Sequence, residues 1–162
     1  MFPNSRGLNM SENINKKALG IDFGLKRIGL SLSDDTQTIA FPFKYILNDS
    51  LNKTVSELKK IIDEENIGLI VIGMPIGLKG KQTEISVKIG EFIRELKEKV
   101  GEGAAFAVYD ERFSSVQAQK SLIEQNIKRK ERKEKIDSVA STFILQSYLD
   151  RQKKQQEKKP FL

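Results

Sequence analysis

The sequence predicts one α/β domain built on a five-stranded mixed β-sheet with helices on both faces. Three observations lead to this fold class. Three apolar segments with alternating side chains occur within residues 17–47, a pattern that predicts consecutive antiparallel strands. Two later apolar runs, at 69–73 and 104–109, are interleaved with segments of helical periodicity, which is typical of βα units. A chain of 162 residues can also bury one substantial core.

The first two strands are predicted over residues 17–23 (KALGIDF) and 27–33 (RIGLSLS). Side chains alternate along a strand, so Ala18, Gly20 and Asp22 fall on one face and the larger apolar residues on the other. Only three residues separate the two strands, which must therefore be antiparallel. A third strand is predicted over 38–47. Pro42 within it predicts an edge position, because proline has no N–H to donate to a neighbouring strand.

The remaining elements follow from helical periodicity and short apolar runs. Ser50 is a predicted N-cap for a helix that begins at residue 51. The run 69–73 predicts a strand covered on both faces, and a loop rich in Gly and Pro follows it. Further helices are predicted over 84–99, 116–125 and 134–151, the last with an inward stripe of Ile136, Val139, Ala140, Phe143, Ile144 and Tyr148.

The predicted domain covers residues 17–151. We expect residues 1–16 to form a flexible polar leader and residues 152–162 a flexible basic tail. No segment reaches the roughly 18 consecutive apolar residues of a membrane span, and the N-terminus lacks the apolar core of a secretory signal. The expected location is the cytoplasm, with no membrane partner.

Two missing residue types exclude whole classes of chemistry. The sequence contains no cysteine and no histidine. Disulfides, thiolate zinc sites, Ser-His-Asp triads and histidine general bases are therefore excluded. A catalytic metal would have to be bound by oxygen atoms, which favours Mg²⁺ or Mn²⁺ over Zn²⁺.

Three carboxylates lie at the ends of predicted elements. Asp22 ends an apolar strand, where an ionised carboxylate is rare unless it is paired or binds a metal. Glu111 follows the strand at 104–109, and Asp137 lies near the start of the last helix. Each has a purely structural alternative: a turn-forming aspartate before Gly24, a solvated loop glutamate, and an acid stabilised by the helix dipole.

Convergence would give these acids a common role. If the first and fifth strands are parallel, their carboxyl ends lie at the same edge of the sheet, where open α/β sheets form their binding crevice. Phosphodiester hydrolysis needs a nucleophilic water and a stabiliser of developing charge. Two divalent ions about 3.5–4 Å apart, held by a few carboxylates, supply both without any histidine. We therefore predict a catalytic metal site made of Asp22, Glu111 and Asp137.

The same residues lie in blocks that resemble the YqgF family of pre-16S ribosomal RNA nucleases, also described as Holliday-junction-resolvase-like. The blocks are ALGIDFGLKRIGLSLSD (18–34), IVIGMPIGLKGKQTEIS (70–86), VYDERFSSVQAQ (108–119) and KIDSVASTFILQSYLD (135–150). In this order and at these distances they are specific. The resemblance implies a ribonuclease-H-like fold, a metal-assisted site whose acids are Asp22, Glu111 and Asp137, and 5′-end processing of precursor small-subunit rRNA. Ribosomal particles are then possible partners, and the alternative substrate is a four-way DNA junction.

One block departs from the family pattern. Where the family carries an Asn, an Asp and a Thr in the loop after the fourth strand, this sequence has Gly77, Lys79 and Lys81. The three acids are unaffected. The substrate contacts of this loop differ, and the added lysines would strengthen contact with phosphate.

Basic residues are concentrated in two segments. Residues 128–135 hold six basic and two acidic residues, and residues 151–159 hold five basic and one acidic. Such patches attract polyanions, although a solvated mobile loop is the plainer interpretation of a charge run. Arg27 could equally be a structural surface residue. The predicted nucleic-acid contacts are Lys26, Arg27, Arg112, Lys128, Arg129, Lys130, Arg132 and Lys133.

Two other functions are compatible with parts of the pattern. An actin-like phosphotransferase also begins with a strand, a DxG turn and a second strand, but it needs two such domains around its nucleotide. A non-catalytic nucleic-acid-binding or ribosome-assembly factor could keep the fold without the activity. The presence of all three acids argues against that second alternative.

Overall fold

The computed structural model describes residues 16–74, 84–110 and 132–158, with residues 132–137 and 158 described in their backbone only. The leader (residues 1–15), the loop at 75–83 and the predicted helix at 116–125 lie outside these segments. The division into leader, domain and tail remains a prediction.

The strands of this part of the chain form one mixed sheet. They are β1 (Lys17–Asp22), β2 (Arg27–Ser33), β3 (Ala40–Leu47), β4 (Ile67–Met74) and β5 (Ala105–Asp110), in the spatial order β3-β2-β1-β4-β5. The first three strands form an antiparallel meander, and β1, β4 and β5 are parallel. The predicted parallel relation of β1 and β5 is therefore confirmed. So is the predicted edge position of the proline-containing strand β3.

Helices α1 (Leu51–Glu64), α2 (Glu84–Val100) and α3 (Arg132–Lys158) cover the sheet. Ser50 caps α1 as predicted, because its hydroxyl accepts a hydrogen bond from the backbone N–H of Lys53 at 3.3 Å. None of the helices in the described segments is both long and apolar enough to cross a membrane.

The core has two layers, one on each face of the sheet. Alternate residues of β1 and β2, including Leu19 and Leu30, pack with α1 and α2 on one face. Ala18 of β1 and Val71 of β4 face the other way and cluster with Ile144 and other residues of α3. Because α3 covers this second face, the polar-looking side of β2 is buried as well.

Helix α3 differs from the prediction in length and in orientation. It continues seven residues beyond the predicted end at Arg151. Residues 152–158 are Gln, Lys and Glu, all good helix formers, and the first helix breaker is Pro160. Phe143 and Tyr148, predicted to face inward, are only partly buried. The buried face is turned by about one position and consists of Ala140, Ser141, Ile144, Leu145 and Leu149.

Candidate metal and nucleic-acid site

Three parallel strands end at one edge of the sheet, and two of the predicted acids belong to these ends. Asp22, the last residue of β1, pairs with Gly73 of β4, and Gly73 pairs with Tyr109 of β5. Neighbouring strands are about 4.8 Å apart, so Asp22 and Tyr109 are separated by roughly 10 Å across the sheet. Glu111 follows β5 directly in the sequence and lies outside the described residues. The edge thus holds Asp22, and the chain leads from it to Glu111.

The half-buried residue Asp22 is firmly placed, with small neighbours on both sides. The next residue, Phe23, is buried on the opposite face, where its ring centroid lies 5.0 Å from that of Phe92. The cross-strand partners of Asp22 are both glycines, Gly29 in β2 and Gly73 in β4. A glycine brings no side chain beside the carboxylate. The sheet therefore leaves room for ligand atoms next to Asp22.

The turn after Asp22 is closed by a glycine and held from a neighbouring loop. A β-carbon on Gly24 would lie 2.3 Å from the carbonyl oxygen of Arg27, a distance that no real side chain tolerates. The side-chain amide of Asn48 donates to the carbonyl oxygen of Gly24 at 2.9 Å, and its backbone N–H donates to that of Lys26 at 2.9 Å. The turn is therefore a fixed support for the residues on either side of it.

A close contact among β1, β2 and α3 fixes how the last helix lies on the sheet. The hydroxyl of Ser31 donates to the carbonyl oxygen of Ser141 at 2.9 Å, and the two hydroxyl oxygens are also 2.9 Å apart. Both serines are fully buried. A β-carbon on Gly20 would lie 2.2 Å from Ser31 Oγ and 2.8 Å from Leu145 Cβ. The helix therefore reaches the backbone of β1 at a residue whose missing side chain permits the approach. We call this arrangement of Gly20, Ser31 and Ser141 the serine contact.

The packing of α3 also defines its direction. Ala18, near the start of β1, belongs to the same cluster as Leu149, whereas Gly20, two residues further along β1, meets Ser141. Moving along β1 towards its carboxyl end therefore means moving along α3 towards its N-terminus. Asp137 lies four residues, about one helical turn, before Ser141. The backbone of α3 thus places residue 137 at the end of the sheet where β1 terminates.

The structure describes two of the predicted nucleic-acid contacts in full. Lys26 is exposed in the turn after β1. Arg27 begins β2, and its guanidinium carbon lies 5.6 Å from the centroid of the Tyr45 ring. By alternation with Ser31, Arg27 lies on the face that carries Asp22. Of the others, Arg132 and Lys133 open α3 and are described in their backbone only, while Arg112, Lys128, Arg129 and Lys130 lie outside the described residues, as do Gly77, Lys79 and Lys81.

The donor chemistry fits a hard divalent cation. Asp22 offers carboxylate oxygens at a half-buried position with a glycine on each side, and the chain has no nitrogen or sulfur ligand of the histidine or cysteine type. The segments with described side chains contain no group of three acidic residues close enough to hold an ion. Of the three predicted ligands, these segments include the side chain of Asp22 alone. Metal binding by the full set therefore remains a prediction.

A carboxylate with a shifted pKa lies at the other end of β2 and serves the fold. The hydroxyl of Thr36 and the backbone N–H of Ile39 donate to Asp34, and these bonds lower the pKa of its carboxyl group. The N–H of Thr38 adds a third hydrogen bond at 2.8 Å. Asp34 thus closes the turn between β2 and β3 and takes no part in the acidic edge.

The residues that shape this site are not identified by the sequence patterns. Alternation does not show that Gly29 and Gly73 are the neighbours of Asp22, and it places Ser31 on a polar face of its strand. A usable signal is the recurrence of small residues inside apolar elements. Gly20 lies two residues before Asp22, and Ser141 lies one helical turn after the predicted third acid.

Known proteins share the sequence of this chain over most of its length. A family model described as "RuvX: Holliday junction resolvase" matches residues 16–151. A relative from Sulfurihydrogenibium sp. (strain YO3AOP1) is 42% identical over 135 residues, which are 83% of this chain and 90% of the relative. One from Carboxydothermus hydrogenoformans is 40% identical over 134 residues, covering 83% of this chain and 96% of the relative. Both are named "Putative pre-16S rRNA nuclease".

Solved structures share the fold at low sequence identity. Thermus thermophilus RuvC in complex with a Holliday junction substrate has a TM-score of 0.57 at 11% identity and covers 85% of this chain and 96% of RuvC. Fowlpox virus resolvase with Holliday junction DNA has a TM-score of 0.51 at 15% identity, covering 84% of this chain and 98% of the resolvase. The predicted ribonuclease-H-like fold is therefore confirmed. The chain belongs to the RuvX family of Holliday junction resolvases and is a phosphodiester-hydrolysing nuclease.

Proposed function

We propose that this nuclease matures the 5′ end of pre-16S ribosomal RNA, using Asp22, Glu111 and Asp137 to hold Mg²⁺ or Mn²⁺. The observation that carries the proposal is the antiparallel register of α3 on β1, which brings residue 137 and Asp22 to the same end of the sheet. The neighbouring parallel strand β5 ends at that edge, one residue before Glu111. The names of the relatives support the choice of substrate.

The proposed chemistry divides between metal and protein. Bound divalent ions would lower the pKa of a coordinated water and neutralise charge on the leaving oxygen. Asp22 supplies carboxylate oxygens from a rigid strand end, and the paired glycines beside it leave space for the phosphate group. The clamped turn after β1 keeps this carboxylate in place during turnover.

Basic residues near the acids would hold the polyanion. Arg27 lies on the Asp22 face of the sheet, and Lys26 is exposed beside it. We propose that both contact backbone phosphates, together with Arg112 and the basic run that precedes Asp137. Lysine and arginine contacts of this kind dominate nucleic-acid affinity and make it salt-dependent. A ribosomal RNA substrate also implies a cytoplasmic location and contact with precursor ribosomal particles, which we include in the proposal.

A second substrate calls for a direct test, because the family description names the Holliday junction. A four-way DNA junction would use the same acids and the same phosphate contacts. The two substrates differ in what must be bound around the cut. Competition between a pre-16S leader RNA and a four-way DNA junction for the purified protein therefore separates them.

The experiment for the main proposal is sequencing of 16S rRNA 5′ ends from cells depleted of the protein. We expect precursors with extended 5′ ends to accumulate. Wild type and the matched control Asp35→Asn, a change at an exposed turn residue, should restore mature ends. Asp22→Asn should fail to restore them. Normal 5′ ends after depletion would overturn the rRNA substrate, and full rescue by Asp22→Asn would overturn the site.

A further inference from the structure

We propose that Ser31 and Ser141 are positioning residues of the candidate metal site. Through their mutual hydrogen bonds they set the distance between Asp22 on β1 and Asp137 on α3. This inference rests on the proposed function, because it concerns how the same acids are held.

The proton count at the serine contact shows that both hydroxyls are committed. Ser31 has one hydroxyl proton, which it donates to the carbonyl oxygen of Ser141. The 2.9 Å contact between the two hydroxyl oxygens must then use the proton of Ser141. Both side chains are fully buried, so water cannot replace either bond. Sliding or rolling α3 would leave buried polar groups unsatisfied, which is costly.

The serine contact lies level with the two acids. Asp22 is two residues beyond Gly20, an advance of about 6.6 Å along a parallel strand. Asp137 is four residues before Ser141, an advance of about 6 Å along a helix. Because α3 is antiparallel to β1, the two advances have the same direction. A displacement of α3 at the serine contact is therefore transmitted to the spacing of the acids.

The rest of the interface cannot fix this spacing as sharply. The other buried contacts of α3 come mainly from Ile144, Leu145 and Leu149, and apolar packing is non-directional. Gly20 prevents the helix from moving closer, since three heavy atoms lie within 3.0 Å of the place its β-carbon would take. Hydrogen bonds add the directional element. Metal sites need it, because changes in groups that orient the ligands typically weaken metal binding by about 10–100-fold.

The chain offers a matched control on the same strand. Ser33 is also buried, at 2% exposure, and also makes two hydrogen bonds. Its oxygen accepts from the N–H of Ala18 at 2.7 Å, and its hydroxyl donates to the carbonyl oxygen of Asp34 at 2.8 Å. Neither partner belongs to α3. Ser33→Ala therefore removes a buried serine hydroxyl of β2 without touching the helix.

The test is calorimetric titration of Mn²⁺ into the full chain, with the fold of each variant checked by urea unfolding. Ser31→Ala loses both hydrogen bonds and should bind Mn²⁺ about tenfold more weakly than wild type. Ser141→Ala keeps the bond to the backbone carbonyl and should bind about two- to threefold more weakly. Binding by Ser33→Ala should be unchanged. Should Ser31→Ala fail to fold, Ser141→Ala against Ser33→Ala carries the same comparison.

A second readout needs no metal. Because the sequence has no cysteine, Leu25→Cys and Lys154→Cys give two unique sites for spin labels at exposed positions on the turn and on α3. In the metal-free protein, Ser31→Ala should shift or broaden the label–label distance by about 1 Å, the scale of misplacement that impairs catalytic sites. Ser33→Ala should leave it unchanged.

The outcomes separate this inference from the proposed function. Equal Mn²⁺ affinities in Ser31→Ala and Ser33→Ala, or an unaltered label distance in Ser31→Ala, would overturn the positioning role and leave the metal site standing. Failure of the wild type to bind Mn²⁺, or unchanged binding by Asp22→Asn, would overturn the proposed site and this inference with it.

Discussion

Replacing Gly20 with alanine tests the packing of α3 on the sheet. The new β-carbon would lie 2.2 Å from Ser31 Oγ, 2.8 Å from Leu145 Cβ and 3.0 Å from the carbonyl oxygen of Ser141. Relief requires Ser31 to give up its hydrogen bonds and α3 to retreat by several tenths of an ångström. Overpacking of this kind costs about 1–3 kcal/mol, and breaking a buried hydrogen bond costs about 1 kcal/mol more.

A matched substitution should have the opposite sign. Gly90 lies exposed in α2, and a β-carbon there would meet no atom within 4 Å. Alanine in a helix interior is more stable than glycine by about 0.5–1 kcal/mol. We therefore expect Gly20→Ala to lower the free energy of unfolding by about 2–3 kcal/mol, and Gly90→Ala to raise it by about 0.5–1 kcal/mol.

Urea unfolding measures both changes, provided that the m-value stays constant. At roughly 2–4 °C per kcal/mol, the melting temperatures of the two variants should differ by about 6–15 °C. A Gly20→Ala variant within about 0.5 kcal/mol of wild type, the range of ordinary surface substitutions, would refute the close approach of helix and strand.

Three further predictions concern pH, metal and salt. The lowered pKa of Asp34 means that its carboxylate stabilises the fold above the unfolded pKa of about 3.9 and that this contribution is lost as pH falls through the folded pKa. The stability advantage of wild type over Asp34→Asn should therefore shrink in unfolding measured below about pH 4; an advantage that persists to about pH 2 would contradict the assignment. Mn²⁺ at about 100 times its dissociation constant should stabilise the wild type by about 2.7 kcal/mol, seen as a raised melting temperature, and no rise at millimolar Mn²⁺ would count against the site. In RNA binding across a salt series, glutamine at the basic run should flatten the slope by about one unit for each phosphate that the variant no longer binds, whereas removal of residues 152–162 should change it little; the reverse result would show that the tail holds the RNA instead of the run, which consists of Lys128, Arg129, Lys130, Arg132 and Lys133.

Local pattern is sufficient to predict most of the fold. Alternation in β1 and β2, the proline of β3 and the helical stripes of α1 and α2 are properties of short stretches, and the structure follows them. Helix α3 is predicted less well. Its end at Lys158 depends on helix propensity in a polar segment that has no apolar stripe. Its buried face depends on Gly20 and Ser31, which lie more than 100 residues away in the sequence.

The site is harder to predict than the fold for the same reason. Asp22 can be singled out from its own strand, because a carboxylate at the end of an apolar run is unusual. Its grouping with Glu111 and Asp137 depends on strand order and helix direction, which local periodicity does not contain, and the family resemblance is what implies it. The serine contact escapes prediction for a different reason. A serine that alternates with leucines resembles a solvent-facing residue until a helix is known to cover it.

Cleavage of a pre-16S leader RNA by purified protein tests the central claim most directly. Wild type, Asp22→Asn and the exposed control Asp35→Asn are compared in Mn²⁺ under single-turnover conditions. Loss of a metal-binding carboxylate should reduce the rate by at least about a hundredfold in Asp22→Asn, while Asp35→Asn cuts like wild type. Asp22→Asn that folds normally and cuts at the wild-type rate would contradict the assignment of this carboxylate to a catalytic metal.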